Sequence, residues 1–256
     1  MKIGFYGSSF CSEIVNDHCN RHNYSSFLEI IRNHYGAEIC HLGNGGTGYW
    51  DILLNQSKEI LADPPDVAIF MWPIPELLYH PEYSPIYPDS IQEGSRLHEK
   101  RPDLHPAVSL YYKHFYNAEK ENIEWRAAMM YADNTFLKQI PSTTKIIHIW
   151  EWGESELFNI DLSTPDTVKN MTYPYKWTTG ITIISPIFLI SAAGQYPARP
   201  TFRKIMRSDP RCNHLEGKEK NELIASWFIS AIDSDEGVFL DKTQDTIDLF
   251  KKLSNI

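Results

Sequence analysis

Cysteine is scarce. The 256 residues hold four, Cys11, Cys19, Cys40 and Cys212, scattered and without a CxxC spacing. That argues against a disulfide framework and for reduced thiols in a cytosol-like compartment. An excess of positive charge is also missing: 24 Lys and Arg stand against 33 Asp and Glu, a net charge of -9. Phosphate recognition needs a clustered basic surface, so neither nucleic acid nor an anionic membrane is an expected partner. No apolar run approaches the roughly 18 residues of a membrane span. The opening MKIGFYG reads as a strand and not as a signal-peptide core, so a cytoplasmic location is expected. Asn23-Tyr24-Ser25 and Asn170-Met171-Thr172 fit the glycosylation pattern, which means nothing without secretion. There is no internal repeat and no low-complexity tract.

What is present is a rhythm. Lys2–Tyr6 is a short apolar strand ending at Gly7. Ser26-Phe27-Leu28-Glu29 has capping-box spacing and opens the helical run FLEIIRNHY, with Gly36 where a C-terminal glycine belongs. Ala37–Leu42 is a second strand and empties into GNGGTG. The helical run YWDILLNQSKEIL follows, then a third strand over Val67–Trp72. Lys145–Trp150 is a fourth strand. Ile181–Ile190 reads as a strand and then a helical turn, split at Pro186. Helices are expected over Glu216–Ile232 and Thr243–Leu253, and one long helix or a broken pair over Ala107–Ile140.

Strands alternating with helices argue for a single α/β domain over 1–256, a three-layer α/β/α sandwich around a central parallel sheet. Two aromatic-rich insertions, around 73–106 and 151–178, interrupt it. The first has no clear periodicity and reads as a loop that forms a wall or lid. Both offer surfaces for a protein partner or a second copy of the chain.

Three features could carry chemistry. Gly7-Ser8-Ser9-Phe10-Cys11 sets a serine on the turn after the first strand, where a helix N-terminus favours negative charge; the plainer role for Ser8 or Ser9 is a helix cap. Gly43-Asn44-Gly45-Gly46-Thr47-Gly48 has four glycines in six residues, which suits an oxyanion-binding loop or simply a tight turn. It lacks the Lys-Ser/Thr ending of a P-loop. It also matches GxGxxG, yet the next strand ends Met71-Trp72-Pro73 without the acid a dinucleotide site needs. The third feature is Asp209-Pro210-Arg211-Cys212-Asn213-His214-Leu215, just before the last long helix, where a histidine can serve as general base.

In this order and at these strand ends, the three features resemble the SGNH/GDSL hydrolase superfamily. Gly7-Ser8-Ser9 is similar to its G-D-S motif, with serine in place of aspartate. RCNHLEGKEKNELIA is similar to the last block of SGNH-like proteins of bacteria and their viruses. The resemblance implies a flavodoxin-like fold and a serine hydrolase of esters, including O-acyl groups on a saccharide. It implies Ser9 as nucleophile, His214 as base and Asp209 as the carboxylate that orients it. Gly46 and the Ser9 amide would bind the oxyanion, with Asn44 a third donor and Ser8 beside the substrate. No cofactor and no metal are implied. The family's asparagine after the third strand has no counterpart in FMWPIPE, and Arg211 stands three residues before His214. An alternative is therefore a decayed SGNH-fold binding or structural protein, such as a virus particle component, with a virion-associated location. His18, Cys19 and His22 have helical ligand spacing without a fourth partner, and a Cys11–His214 pair is a weaker nucleophile–base candidate.

Overall fold

The structure is a computed structural model that describes residues 1–21, 23–45, 47–73, 78, 80, 86, 91–151, 175–185, 187, 190, 215, 217–234, 236–237 and 239–254. Six strands form one sheet: β1 (Lys2–Tyr6), β2 (Glu38–His41), β3 (Val67–Trp72), β4 (Lys145–Trp150), β5 (Ile181–Ile184) and β6 (Leu240–Asp241). Every pairing is parallel, and the order is β2-β1-β3-β4-β5-β6. The first five follow the flavodoxin-like order 2-1-3-4-5, and β6 extends that edge. The sequence pattern misses β6, because two residues are too few to display a period of two.

The alternation of side chains along the strands divides the interior. Ile3, Phe5, Val67, Ile69, Met71, Ile147 and Ile149 point to one face. Tyr6, Ala68, Phe70, Trp72, Ile146 and Trp150 point to the other. The first face is covered by α1 (Glu13–Arg21) and α2 (Phe27–Tyr35). Two further helices, numbered below as α8 (Lys218–Asp233) and α9 (Thr243–Ser254), complete that layer. The second face is covered by a continuous helical stretch: α3 (Tyr49–Asp51), a π-turn over Ile52–Gln56, and α4 (Ser57–Ala62). α7 (Ala118–Asn134) lies beside it. The result is the expected three-layer α/β/α sandwich. All six residues of β3 are buried, as a parallel strand covered on both faces requires.

Local signals set the element ends. The Ser26 hydroxyl accepts the Glu29 N–H at 3.1 Å, and Gly36 closes α2 with φ 57°. Ala107–Ile140 is a broken pair, α6 (His105–His114) and α7, and Asn117 caps α7 by accepting the Lys120 N–H at 2.9 Å. The 73–106 insertion is not wholly structureless. It contains α5 (Arg96–Lys100) and an isolated bridge between Leu78 and Ile86. Ile86, Leu97 and Val108 form a small core there. A five-residue helix is too short to show a 3.6-residue period. Residues 152–174, most of the second insertion, lie outside the described residues.

α8 runs antiparallel to the strands it covers. Lys145, at the start of β4, donates its Nζ to the carbonyls of Ile232 and Ser234 at the end of α8. The start of α8 therefore lies toward the C-terminal edge of the sheet. Asn221 ties that end down: its Oδ1 accepts the Phe27 N–H at 2.9 Å, and its Nδ2 donates to the Leu215 carbonyl at 2.7 Å. Among the described residues, no helix is long and apolar enough to cross a membrane.

Candidate functional site

In an open parallel sheet, ligands bind beyond the strand C-termini, at the point where strand order reverses. Here that point lies between β1 and β3. Gly7 passes so close to β3 that a Cβ on it would sit 2.6 Å from the Met71 carbonyl oxygen, so only glycine fits without a shift. Its backbone N–H and C=O are both held by one side chain. The Gly7 N–H donates to Gln56 Oε1 at 2.9 Å, and Gln56 Nε2 donates to the Gly7 carbonyl at 3.0 Å.

Gln56 is itself fixed by Asp51. Its Nε2 donates to Asp51 Oδ2 at 2.7 Å, and both side chains are buried. In a regular α-helix, residues five apart do not face each other. The π-turn over Ile52–Gln56 brings this pair together, in keeping with the use of such turns at functional sites. Asp51 also accepts Asn55 Nδ2 at 2.7 Å and Asn44 Nδ2 at 2.9 Å. Asn44 is exposed at the end of β2, and its backbone N–H donates to the Gly7 carbonyl at 3.1 Å. One hydrogen of its carboxamide thus remains beyond the Asp51 bond. Beside it, the Gly43 N–H donates to the Cys11 carbonyl at 3.0 Å. A Cβ on Gly43 would meet Cys11 Sγ at 2.5 Å.

Ser8 is buried, and both of its donors go to one residue. Its N–H donates to Glu151 Oε1 at 3.0 Å and its Oγ to Glu151 Oε2 at 2.6 Å. Ser8 is thereby committed to holding the turn and does not cap the following helix. Glu151 is the first residue beyond β4, and its own N–H donates to the Trp72 carbonyl at 2.9 Å. Burial pushes its carboxyl up to about 8, against the two Ser8 hydrogen bonds, which pull it down.

Ser9 opens a 3₁₀ turn over Ser9–Cys11 and is half-buried. Its carbonyl accepts the Ser12 hydroxyl at 3.2 Å. No described residue hydrogen-bonds to its own hydroxyl or accepts its N–H, the first N–H of the turn. Cys11 is fully buried. Burial, and secondarily the Glu151 carboxylate, pushes its thiol well above the ordinary range, so it stays a neutral thiol and a poor nucleophile.

The sequence candidates thus divide. Ser8, Ser9 and Asn44 meet at one edge of the sheet. Gly46, Asp209 and His214, and with them Arg211, Cys212 and His22, lie outside the described residues. Leu215, next in the chain after His214, is described. It is buried in the core of the first face, under Asn221. Of the described residues that end β3, neither supplies a donor in place of the missing asparagine: the Trp72 indole N–H is spent on His148 Nδ1 at 3.1 Å, and Pro73 has no N–H. Among the described residues, no three His, Cys, Asp or Glu side chains converge as a metal site.

Sequence patterns missed Glu151, Asp51 and Gln56. The signal for Glu151 was a charged residue directly closing the apolar run KIIHIW. For the other two it was a polar pair facing inward from an otherwise amphipathic helix.

No protein-family model matches the sequence, and no curated protein matches it. Among solved structures, the chain is similar to a crystal structure from Parabacteroides merdae, a protein provisionally named a GDSL-like lipase. The identity is 14 % and the TM-score 0.31, over 99 % of this chain and 95 % of that one.

Proposed function

We propose that this protein is a serine hydrolase of SGNH type acting on an ester, with O-acyl groups on a saccharide as the substrate class. The observation that carries the reading is Ser9. Its hydroxyl and N–H have no described partner, and it stands on a doubly anchored turn at the switch point of a flavodoxin-like sheet. A second support is the direction of α8, which starts toward the same edge just after Leu215. His214 then takes the Ser9 proton as Oγ attacks the acyl carbonyl, and Asp209 orients the imidazole. The Ser9 amide and Gly46 stabilise the oxyanion, and the remaining Asn44 carboxamide hydrogen supplies a third donor. The tetrahedral intermediate expels the alcohol, which leaves with the proton from His214. Water, deprotonated by His214, then releases the acid and restores Ser9.

The test is p-nitrophenyl acetate turnover by wild type, Ser9→Ala and His214→Ala. Both variants should lose at least about 10³-fold in kcat. Equal rates in wild type and Ser9→Ala would sink the serine mechanism.

The second reading is a binding or structural protein on the same fold, such as a virus particle component. It is favoured by the lack of a free donor among the described residues that end β3, where the Trp72 indole N–H is committed to His148. Losing one oxyanion donor costs about 10²–10³ in rate. Fluorophosphonate labelling separates the two readings: a reactive Ser9 is modified, and a relic is not.

A further inference from the structure

We propose that Glu151 is a positioning residue for Ser9: its two carboxyl oxygens grip the N–H and the hydroxyl of Ser8 and so fix the turn from which Ser9 projects. The inference rests on the reading of Ser9 as nucleophile. Burying a carboxyl group is unfavourable by several kcal/mol unless its oxygens are satisfied. Glu151 is wholly buried, and among the described residues its partners are both donors of a single residue. Its backbone is pinned in turn, through its N–H to the Trp72 carbonyl. The grip therefore ties the end of β1 to the ends of β3 and β4, one residue before Ser9. Gln56 performs the matching service for the preceding peptide, at Gly7. Between them the two side chains hold the Tyr6–Gly7 and Gly7–Ser8 peptide groups, the two that precede the Ser8–Ser9 bond. A nucleophile gains from such support because a displacement of about 1 Å can cost about 10²-fold in rate.

The grip does not need a charge. A protonated carboxyl accepts the Ser8 N–H on one oxygen and donates its O–H from the other to Ser8 Oγ, reversing that one hydrogen bond while keeping the contact. Glutamine can do the same, accepting through Oε1 and donating from Nε2. With burial holding the acid protonated at neutral pH, Glu151→Gln is the conservative replacement and Glu151→Ala the disruptive one. Among the described residues, the titratable group whose field couples to Glu151 is the Cys11 thiol, itself neutral.

Wild type, Glu151→Gln, Glu151→Ala and Ser8→Ala are compared by p-nitrophenyl acetate kinetics and by amide hydrogen exchange of the segment 7–11. In Glu151→Ala, kcat should fall about tenfold or more with KM nearly unchanged, and exchange should quicken by about tenfold. Glu151→Gln should restore both, and Ser8→Ala should lie between. Should Glu151→Ala fail to fold, the Ser8→Ala and Glu151→Gln pair carries the test. Wild-type kcat and exchange in Glu151→Ala, or in Ser8→Ala where it stands in, would overturn the proposal. So would a Glu151→Gln as impaired as Glu151→Ala. A wild type without esterase activity defeats the Ser9 reading instead, and exchange still reports whether Glu151 grips the turn.

Discussion

His148 and Glu151 stand three residues apart, one within β4 and one just beyond it, and both are wholly buried. Burial makes each neutral near pH 7, from opposite sides. It pushes the His148 imidazole down to about 3 and the Glu151 carboxyl up to about 8. Their partners differ in kind. His148 lies in an aromatic stack, 4.3 Å from the Trp177 ring and 5.6 Å from that of Phe70. Its Nδ1 accepts the Trp72 indole, so Nε2 carries the proton and donates to the Thr179 carbonyl at 3.2 Å. The rings it packs against, Phe70, Trp72 and Trp177, belong to the core of the second face. Glu151 instead holds a turn at the rim of the sheet. The partners of His148 thus lead inward, and those of Glu151 lead through Ser8 to the half-buried Ser9.

The sharpest way to break the comparison is His148→Ala. It removes a ring from the stack and strands the Trp72 indole N–H, so stability at pH 7 should fall by about 3–5 kcal/mol. The esterase kcat of the folded fraction should stay near wild type. Urea melts and kinetics read the two effects, and a large loss of kcat would erase the distinction. The same variant should lose a limb of the pH dependence. A group with a depressed folded pKa contributes stability above its unfolded value, 6.5, and loses it as pH falls toward about 3.

Glu151 predicts the opposite slope. Its folded pKa lies above the unfolded 4.5, so its contribution is complete below that value and is lost as pH rises toward about 8. Glu151→Gln removes the slope. Relative to wild type it should gain roughly 2–4 kcal/mol between pH 4.5 and 8, measured as the difference in urea midpoints across that window. A difference that does not vary with pH would mean that the carboxyl ionises normally. The smallest effect belongs to Ser8→Ala, which deletes one of the two hydrogen bonds and leaves the backbone N–H in place. It should cost about 1 kcal/mol, with the loss of stability that begins above pH 4.5 continuing to higher pH, because the deleted bond lowers the Glu151 pKa.

Much of the frame could be read along the chain. Val67–Trp72 is a strand because six apolar residues sit between turn signals. FLEIIRNHY is a helix because Ser26 and Gly36 bound it. The edge carrying Ser9 and Asn44 follows from strands that alternate with helices. The π-turn was not readable, because YWDILLNQSKEIL has the same apolar spacing with or without one extra residue in a turn. Ser8 suggested a cap or a substrate contact, because a serine before a helix does the same locally in both roles.

The sequence by itself determined which residues end the strands, where glycine is needed at the turns, and that Ser9 stands at the rim of a parallel sheet. These are consequences of periods of two and 3.6 residues and of backbone sterics, which act over a few residues. Only the tertiary structure decided what holds that serine's turn. Ser8 and Glu151 are 143 residues apart in the chain. They meet because β3 lies between β1 and β4 and carries both strand ends to one level, a consequence of sheet order that no local pattern encodes.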